Sequence, residues 1–336
     1  MRALASHYAG SRIRPVLRLP PILAGVLVAA CSAPGTAKHG SAAPDSLVVF
    51  VAASLVQPVH SAIGGYSART RAVVQEERGG SVELARRITE LHRVPDLIVL
   101  ADADVFAQQL VPRATSWFLA FGRDRMVIAY TSRSRMASAM SPDSWRRVLT
   151  QPGVRIGRAD PGSAPVGYRT LAMLALAERH YRDAGLAARV LTNAKPEYMR
   201  ADAAQLATLL EEGEVDYIID YESVARARHL EVVHLPAEID LGDLERAEQY
   251  GAVRVRFKRG RDSVEVKGAP IALALSVPKG AAHGASGVRL AHFLLADDGW
   301  IQLRGAGVDM LERPRLTGDS VPALLRPLVL RRARHD

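Results

Sequence analysis

Apolar residues first run together, Leu47-Val48-Val49-Phe50-Val51-Ala52, and then recur at helical spacing through Ile63, with Ala53 and Ser54 at the junction. The pattern predicts a buried strand, a tight turn and a helix opened by a serine. A second unit of the same build follows at Arg78-Gly79-Gly80-Ser81, where apolar positions recur helically through Ile88. Further along, Leu97–Leu100, Met126–Tyr130, Tyr217–Ile219 and Ile271–Val277 read as strands. Helices are predicted over Ser144–Leu149, Leu171–Tyr181, Ala203–Glu212, Val288–Leu295 and Gly299–Arg304, and a hairpin over 254–267 turns at Arg259–Asp262. Short strands alternating with amphipathic helices indicate an α/β fold.

The serine-led helix starts carry chemistry. The first N–H groups of a helix lack intrahelical partners and the helix dipole is positive there. A serine hydroxyl added to such a start makes a place for a small anion. Serine is also a favoured cap anywhere, so one such start decides nothing. Two in one half of the chain point to an anion held between helix ends. The loop Ala159–Arg169 offers further N–H groups near Val166 and Gly167, with Asp160 and Arg169 expected to pair or cap locally. The helix at Ala203 gives another start, and Tyr221 either brings a phenol hydroxyl or is a strand tyrosine bonded to a carbonyl. Asp102 and Asp104 read as a capped turn after a strand rather than an acid or metal pair. Asp220 is expected on the face opposite Tyr221, because strand neighbours alternate.

Composition narrows the classes. The 336 residues are 48% hydrophobic and 24% charged, ordinary for a globular chain. Aromatic content of 5% argues against a base-stacking surface, so no nucleic-acid partner is expected. Residues 1–30 read as a signal peptide: Arg2, Arg12, Arg14 and Arg18 precede a short apolar run, and Val28-Ala29-Ala30 leads to Cys31. Cys31 is the only cysteine, placed as the lipidated residue of a bacterial lipoprotein is; Pro20-Pro21 breaks the run that a membrane span would need. Removing that segment takes away four arginines and no acid, lowering the formal charge from +9 to +5. Residues 31–45 read as a flexible tether, and the basic tail Arg326–Arg334 as a solvated or membrane-surface end. No phosphate loop, paired zinc histidines or Gly-x-Ser-x-Gly elbow occurs, so neither an enzyme nor a protein-ligated metal ion is expected.

The block Trp117–Thr131 resembles the corresponding block of molybdate/tungstate-binding proteins, the extracytoplasmic solute receptors of ABC importers. Gly79–Val82, Pro165–Arg169, Leu209–Tyr217, Ser223–Ala225 with His229, and Leu235–Leu241 match in the same order, closest to the archaeal-type branch. The resemblance implies a type II periplasmic-binding fold, two lobes closing over one oxyanion, with no cofactor. It implies delivery of the anion to a membrane permease by a monomer tethered through lipid on Cys31. The lobes are expected at 46–124 with 252–315 and at 125–251, followed by a C-terminal extension at 316–336. Carried over by position, Ala53, Ser54 and Ser81 hold the anion from one lobe, and Pro165, Val166, Ala203 and Tyr221 from the other. That branch brings two carboxylates to the metal centre, and the matching positions here are Ala164 and Ala203, with Asp202 one residue away. Alanine at both leaves the anion tetrahedral and held by neutral hydrogen bonds. Rival readings are a receptor for sulfate or another tetrahedral oxyanion, an exported enzyme using Asp102, Asp104 or His60, and an adhesion or interaction lipoprotein.

Overall fold

The computed structural model describes residues 46–329, so the signal peptide, the tether and Cys31 lie outside the described residues. The first sheet contains β1 (Ser46–Ala52), β2 (Val73–Gly79), β3 (Leu97–Leu100), β4 (Trp117–Arg123), β12 (Ala272–Ser276) and β13 (Asp309–Gly318). Its order is β13-β4-β12-β3-β1-β2. The second contains β5 (Met126–Tyr130), β6 (Ile156–Ala159), β7 (Met199–Arg200), β8 (Tyr217–Tyr221) and β9 (Glu231–His234), in the order β7-β6-β8-β5-β9. β10 (Arg254–Arg259) and β11 (Asp262–Lys267) form a separate hairpin packed on the helix Pro165–Tyr181. Each large sheet with its helices is one lobe.

Continuous apolar runs became central strands because both of their faces are covered. β3 is buried throughout, and β1 is buried at every position except Ser46 and Val48. The helix Val56–Thr70 packs on Gly284–Leu295 and Asp297–Gly305, where Tyr66 meets Phe293 edge-on at 5.4 Å. Two helices begin earlier than the periodicity suggests, at Pro165 rather than Leu171 and at Gly284 rather than Val288. Strand β13 continues to Gly318, past the expected lobe end at 315.

Register positions the functional elements. β1 lies between β2 and β3, parallel to both, with Ala52 opposite Gly79 and Val51 opposite Val99. The chain therefore leaves all three strands at one edge of the lobe, delivering Ala53-Ser54, Gly80-Ser81 and Ala101-Asp102 side by side. In the other lobe β6 is parallel to β7 and β8. Their carboxyl ends deliver Pro165, Ala203 and Tyr221. Ligands of open α/β sheets bind at such strand ends. Only Asp124 and Arg125 separate β4 from β5, so the chain passes directly between sheets there. At that crossing Asp124 N–H donates to Ile271 O (3.2 Å), Met126 N–H to Asp240 O (2.7 Å) and Ile271 N–H to Leu241 O (2.8 Å).

Candidate functional site

One small cavity gathers the sequence-predicted residues. Ala53, Ser54, Ser81, Pro165, Val166, Ala203 and Tyr221 all line it, joined by Ala52, Gly80, Ala101, Ala164 and Asp202. The volume open to the centre of a water-sized sphere is about 10 Å³, about the room that one water molecule needs. A wider opening of about 460 Å³ adjoins it, sharing Ala53, Ser54 and Asp202 and flanked by Arg78 and Arg228. A larger cavity, about 620 Å³, lies elsewhere and shares no residue with the site, so size alone does not locate it.

The lining presents hydrogen-bond donors. No side chain caps the turn at Ala53, the helix Ser81–Thr89 or the helix Pro165–Tyr181, so their first N–H groups remain for a guest. Ser81 is fully buried and its Oγ accepts the Ala101 N–H at 3.2 Å, which leaves the hydroxyl proton to donate inward. Tyr221 is 2% exposed and its hydroxyl is buried with no hydrogen-bond partner among the described residues. Burial, reinforced by the Asp102 charge, pushes this phenol well above its ordinary value, so it stays a neutral donor. A buried hydroxyl without a partner is costly and calls for an explanation.

Two features complete the close fit. A Cβ on Gly80 would stand 2.5 Å from the backbone oxygen of Ser163 in the opposite lobe, so only glycine lets the lobes meet there. A Cβ on Gly167 would stand 2.5 Å from Pro161 N, so the helix start lies directly against the chain leaving β6. That approach uses the Gly167 N–H, which donates to Ala164 O at 3.1 Å and is withdrawn from the anticipated donors.

The carboxylates near the cavity are largely engaged by the protein. Asp202 caps the helix Ala203–Glu211, its two oxygens accepting Gln205 N–H and Gln205 Nε2, each at 2.9 Å. Asp160 caps its own loop, accepting Gly162 N–H at 2.9 Å and Ser163 Oγ at 2.7 Å. Arg169 does not pair with it, contrary to expectation. The guanidinium crosses to Asp102, with Nη2 at 2.7 Å and Nε at 3.1 Å from Oδ2, because the helix points it away from Asp160 toward the other lobe. Asp220 does not line the cavity; its Oδ1 accepts Tyr221 N–H at 2.7 Å. Burial, with Asp124 and Asp202 nearby, pushes its carboxyl well above the usual range. Sequence reasoning missed Asp124, wholly buried at the crossing and pushed up to about 6 by burial. Among the described residues no cluster of three or more His, Cys, Asp or Glu side chains could hold a metal ion. Among them, too, no helix is long and apolar enough to cross a membrane.

The pattern of the bacterial extracellular solute-binding protein family matches residues 47–308. The chain belongs to this family. A protein named as an uncharacterized solute-binding protein of Methanoculleus marisnigri is 32% identical over 277 residues, 75% of this chain and 78% of its own length. The molybdate/tungstate-binding protein WtpA of Thermococcus kodakarensis is 30% identical over 336 residues, 92% of this chain and 94% of its own. Among solved structures, the sulfate-binding protein SubI of Mycobacterium tuberculosis aligns with a TM-score of 0.56 at 14% identity, over 85% of this chain and 92% of its own. The periplasmic molybdate-binding protein of Azotobacter vinelandii aligns at 0.52 and 16%, over 78% and 98%. At these identities the likeness is one of fold. It bears out the two-lobed binding-protein architecture expected from the motif blocks, and the relatives are solute-binding proteins rather than enzymes.

Proposed function

We propose that this family member captures one molybdate or tungstate dianion between its lobes and passes it to the membrane permease of an ABC importer. The observation that carries the reading is the Tyr221 hydroxyl, without a partner among the described residues, at a cavity that also gathers Ser54, Ser81 and the uncapped helix starts at Ser81 and Pro165. The name of the Thermococcus relative, nearly co-extensive with this chain, supports the choice of anion. A buried dianion without a countercharge must be satisfied by donors, or desolvation forbids binding. Hydrogen bonds to a charged group contribute about 1.5–3 kcal/mol each, so five to seven sustain roughly micromolar to nanomolar affinity.

Coordination of the anion follows from what the lining lacks. Ala164 and Ala203 bring no carboxylate, and Gln205 engages both oxygens of Asp202. The anion stays tetrahedral in this reading, with no protein atom bonded to its metal centre and no further cofactor. Apart from Asp202, whose two oxygens both hold Gln205, the lining offers donors, which disfavours hydrogen phosphate, whose proton needs an acceptor, while sulfate is separated only by size. Lipid on Cys31, an extracytoplasmic position on the membrane surface and a monomeric state belong to the same proposal. Sodium tungstate or molybdate is expected to raise the melting temperature of the full chain, phosphate to leave it unchanged, and sulfate to compete weakly. No shift with either group VI oxyanion overturns the assignment.

A further inference from the structure

Directly behind the cavity lies a charged cluster that the proposed anion does not touch. Asp102, which follows β3 in the first lobe, and Arg169, on the helix Pro165–Tyr181 of the second, are each about 1% exposed. Besides the two guanidinium contacts, Asp102 Oδ2 accepts the Tyr168 hydroxyl at 2.7 Å, while Oδ1 accepts Asp104 N–H at 2.9 Å. Arg169 Nη1 donates to Ala269 O on the segment leading into β12, and Nη2 lies 3.4 Å from Asp104 Oδ2. The Tyr168 ring stacks on Phe257 of the hairpin, centroids 5.9 Å apart. A buried ion pair of this kind needs all its hydrogen bonds to offset desolvation, and losing one partner leaves a costly charge.

Its position gives it a function. Ala101, one residue before Asp102, lines the cavity and donates to Ser81 Oγ. Pro165 and Val166, one turn before Arg169, line it from the other side. Residues 101–102 and 165–169 therefore carry the cage and the ion pair together: the lobes cannot part at the cage without breaking Asp102 from Arg169 and Tyr168. We propose that Asp102, Tyr168 and Arg169 form an interlobe latch that makes only in the closed form and sets how long a captured anion is held. Its role in anion retention rests on the oxyanion-receptor reading; the latch itself rests on the cross-lobe geometry alone. The three are positioning residues, acting through closure rather than on the ligand.

The test uses interlobe distance, which a merely structural role would not move. In the full chain carrying Cys31→Ser, spin labels at Ser61→Cys and Ala188→Cys, exposed on helices of opposite lobes, report the distance by double electron–electron resonance. Without ligand, Tyr168→Phe and Arg169→Lys are expected to enlarge the long-distance population. With sodium tungstate, both are expected to raise the dissociation rate about tenfold while the association rate stays within about twofold. Unchanged distance distributions overturn the latch, even where a variant melts earlier. If titration calorimetry shows no tungstate binding to the parent but the variants still widen the ligand-free distances, the latch stands and the receptor reading fails.

Discussion

Replacing Tyr221 with phenylalanine is expected to drive stability and binding in opposite directions. The hydroxyl is buried without a partner among the described residues, and such a group costs the folded chain about 1–3 kcal/mol. Phenylalanine keeps the ring, which is 2% exposed, and removes the orphan, so the ligand-free chain should gain up to that amount. For chains of comparable size each kcal/mol moves the melting temperature by roughly 2–4 °C. In the complex the same hydroxyl donates to a dianion, a bond worth about 1.5–3 kcal/mol, so tungstate should bind roughly 10- to 150-fold more weakly. Scanning calorimetry of the ligand-free variant gives the first quantity and titration calorimetry with sodium tungstate the second. A dissociation constant within about twofold of the parent, or ligand-free melting lowered by several degrees, refutes the reasoning.

Gly80→Ala places a methyl 2.5 Å from Ser163 O across the lobes, so closure must open by a few tenths of an ångström or more. Titration calorimetry should show affinity at least about tenfold weaker, with ligand-free melting within about 3 °C of the parent. Asp124 makes stability fall as pH rises. Its folded carboxyl sits at about 6 against 3.8 in the unfolded chain, so the folded state holds the proton more tightly. The support is complete below about pH 4 and lost as pH climbs through about 6, on the order of 3 kcal/mol. Asp220 and Asp240, also pushed up by burial, act in the same sense. Asp124→Asn should therefore melt higher than the parent at pH 7.5 and show a shallower decline between pH 5 and 7; parallel melting curves refute it.

Local pattern revealed the parts of the site that are local. Strands buried on both faces announce themselves as unbroken apolar runs, and Ser81 stands where a strand gives way to a helix of 3.6 period. Tyr221 was visible only as a tyrosine at a strand end; its missing partner is a property of the packed lobe. The helix start at Pro165 was hidden because Gly167 lowers helix propensity, yet its missing Cβ is what lets the helix abut the chain at Asp160 and Pro161. Arg169 illustrates the sharper limit. Asp160 is nine positions away in sequence, Asp102 is 67, and nothing local says that the helix faces the other lobe. Asp202 was legible as a neighbour of Ala203 but not as its helix cap, a role fixed by the extended backbone at that residue.

An arginine lies one helical turn from the cavity lining and is not part of it. Asp102 engages its guanidinium and Ala269 O takes a further N–H, so this cation is matched before a ligand arrives. Burial works against that charge, and the surrounding Asp102, Tyr168 and Asp104 outweigh it. Apart from the Asp202 carboxylate, held by Gln205, the cage is left with uncharged hydroxyl and amide donors. Such donors stabilise an anion only when several are aligned at once, since each contributes a few kcal/mol at short range. A free guanidinium would attract a dianion in open and closed forms alike, whereas neutral donors divided between two lobes attract it strongly only when the lobes meet. Division of the donors between lobes is thus what couples capture to closure. Moving a donor from one lobe to the other, with Ser81→Ala in the first and Ala164→Ser at the start of the Pro165 helix in the second, should preserve part of the affinity; retention below about a tenth of that of Ser81→Ala alone would show that donor number is not the controlling quantity.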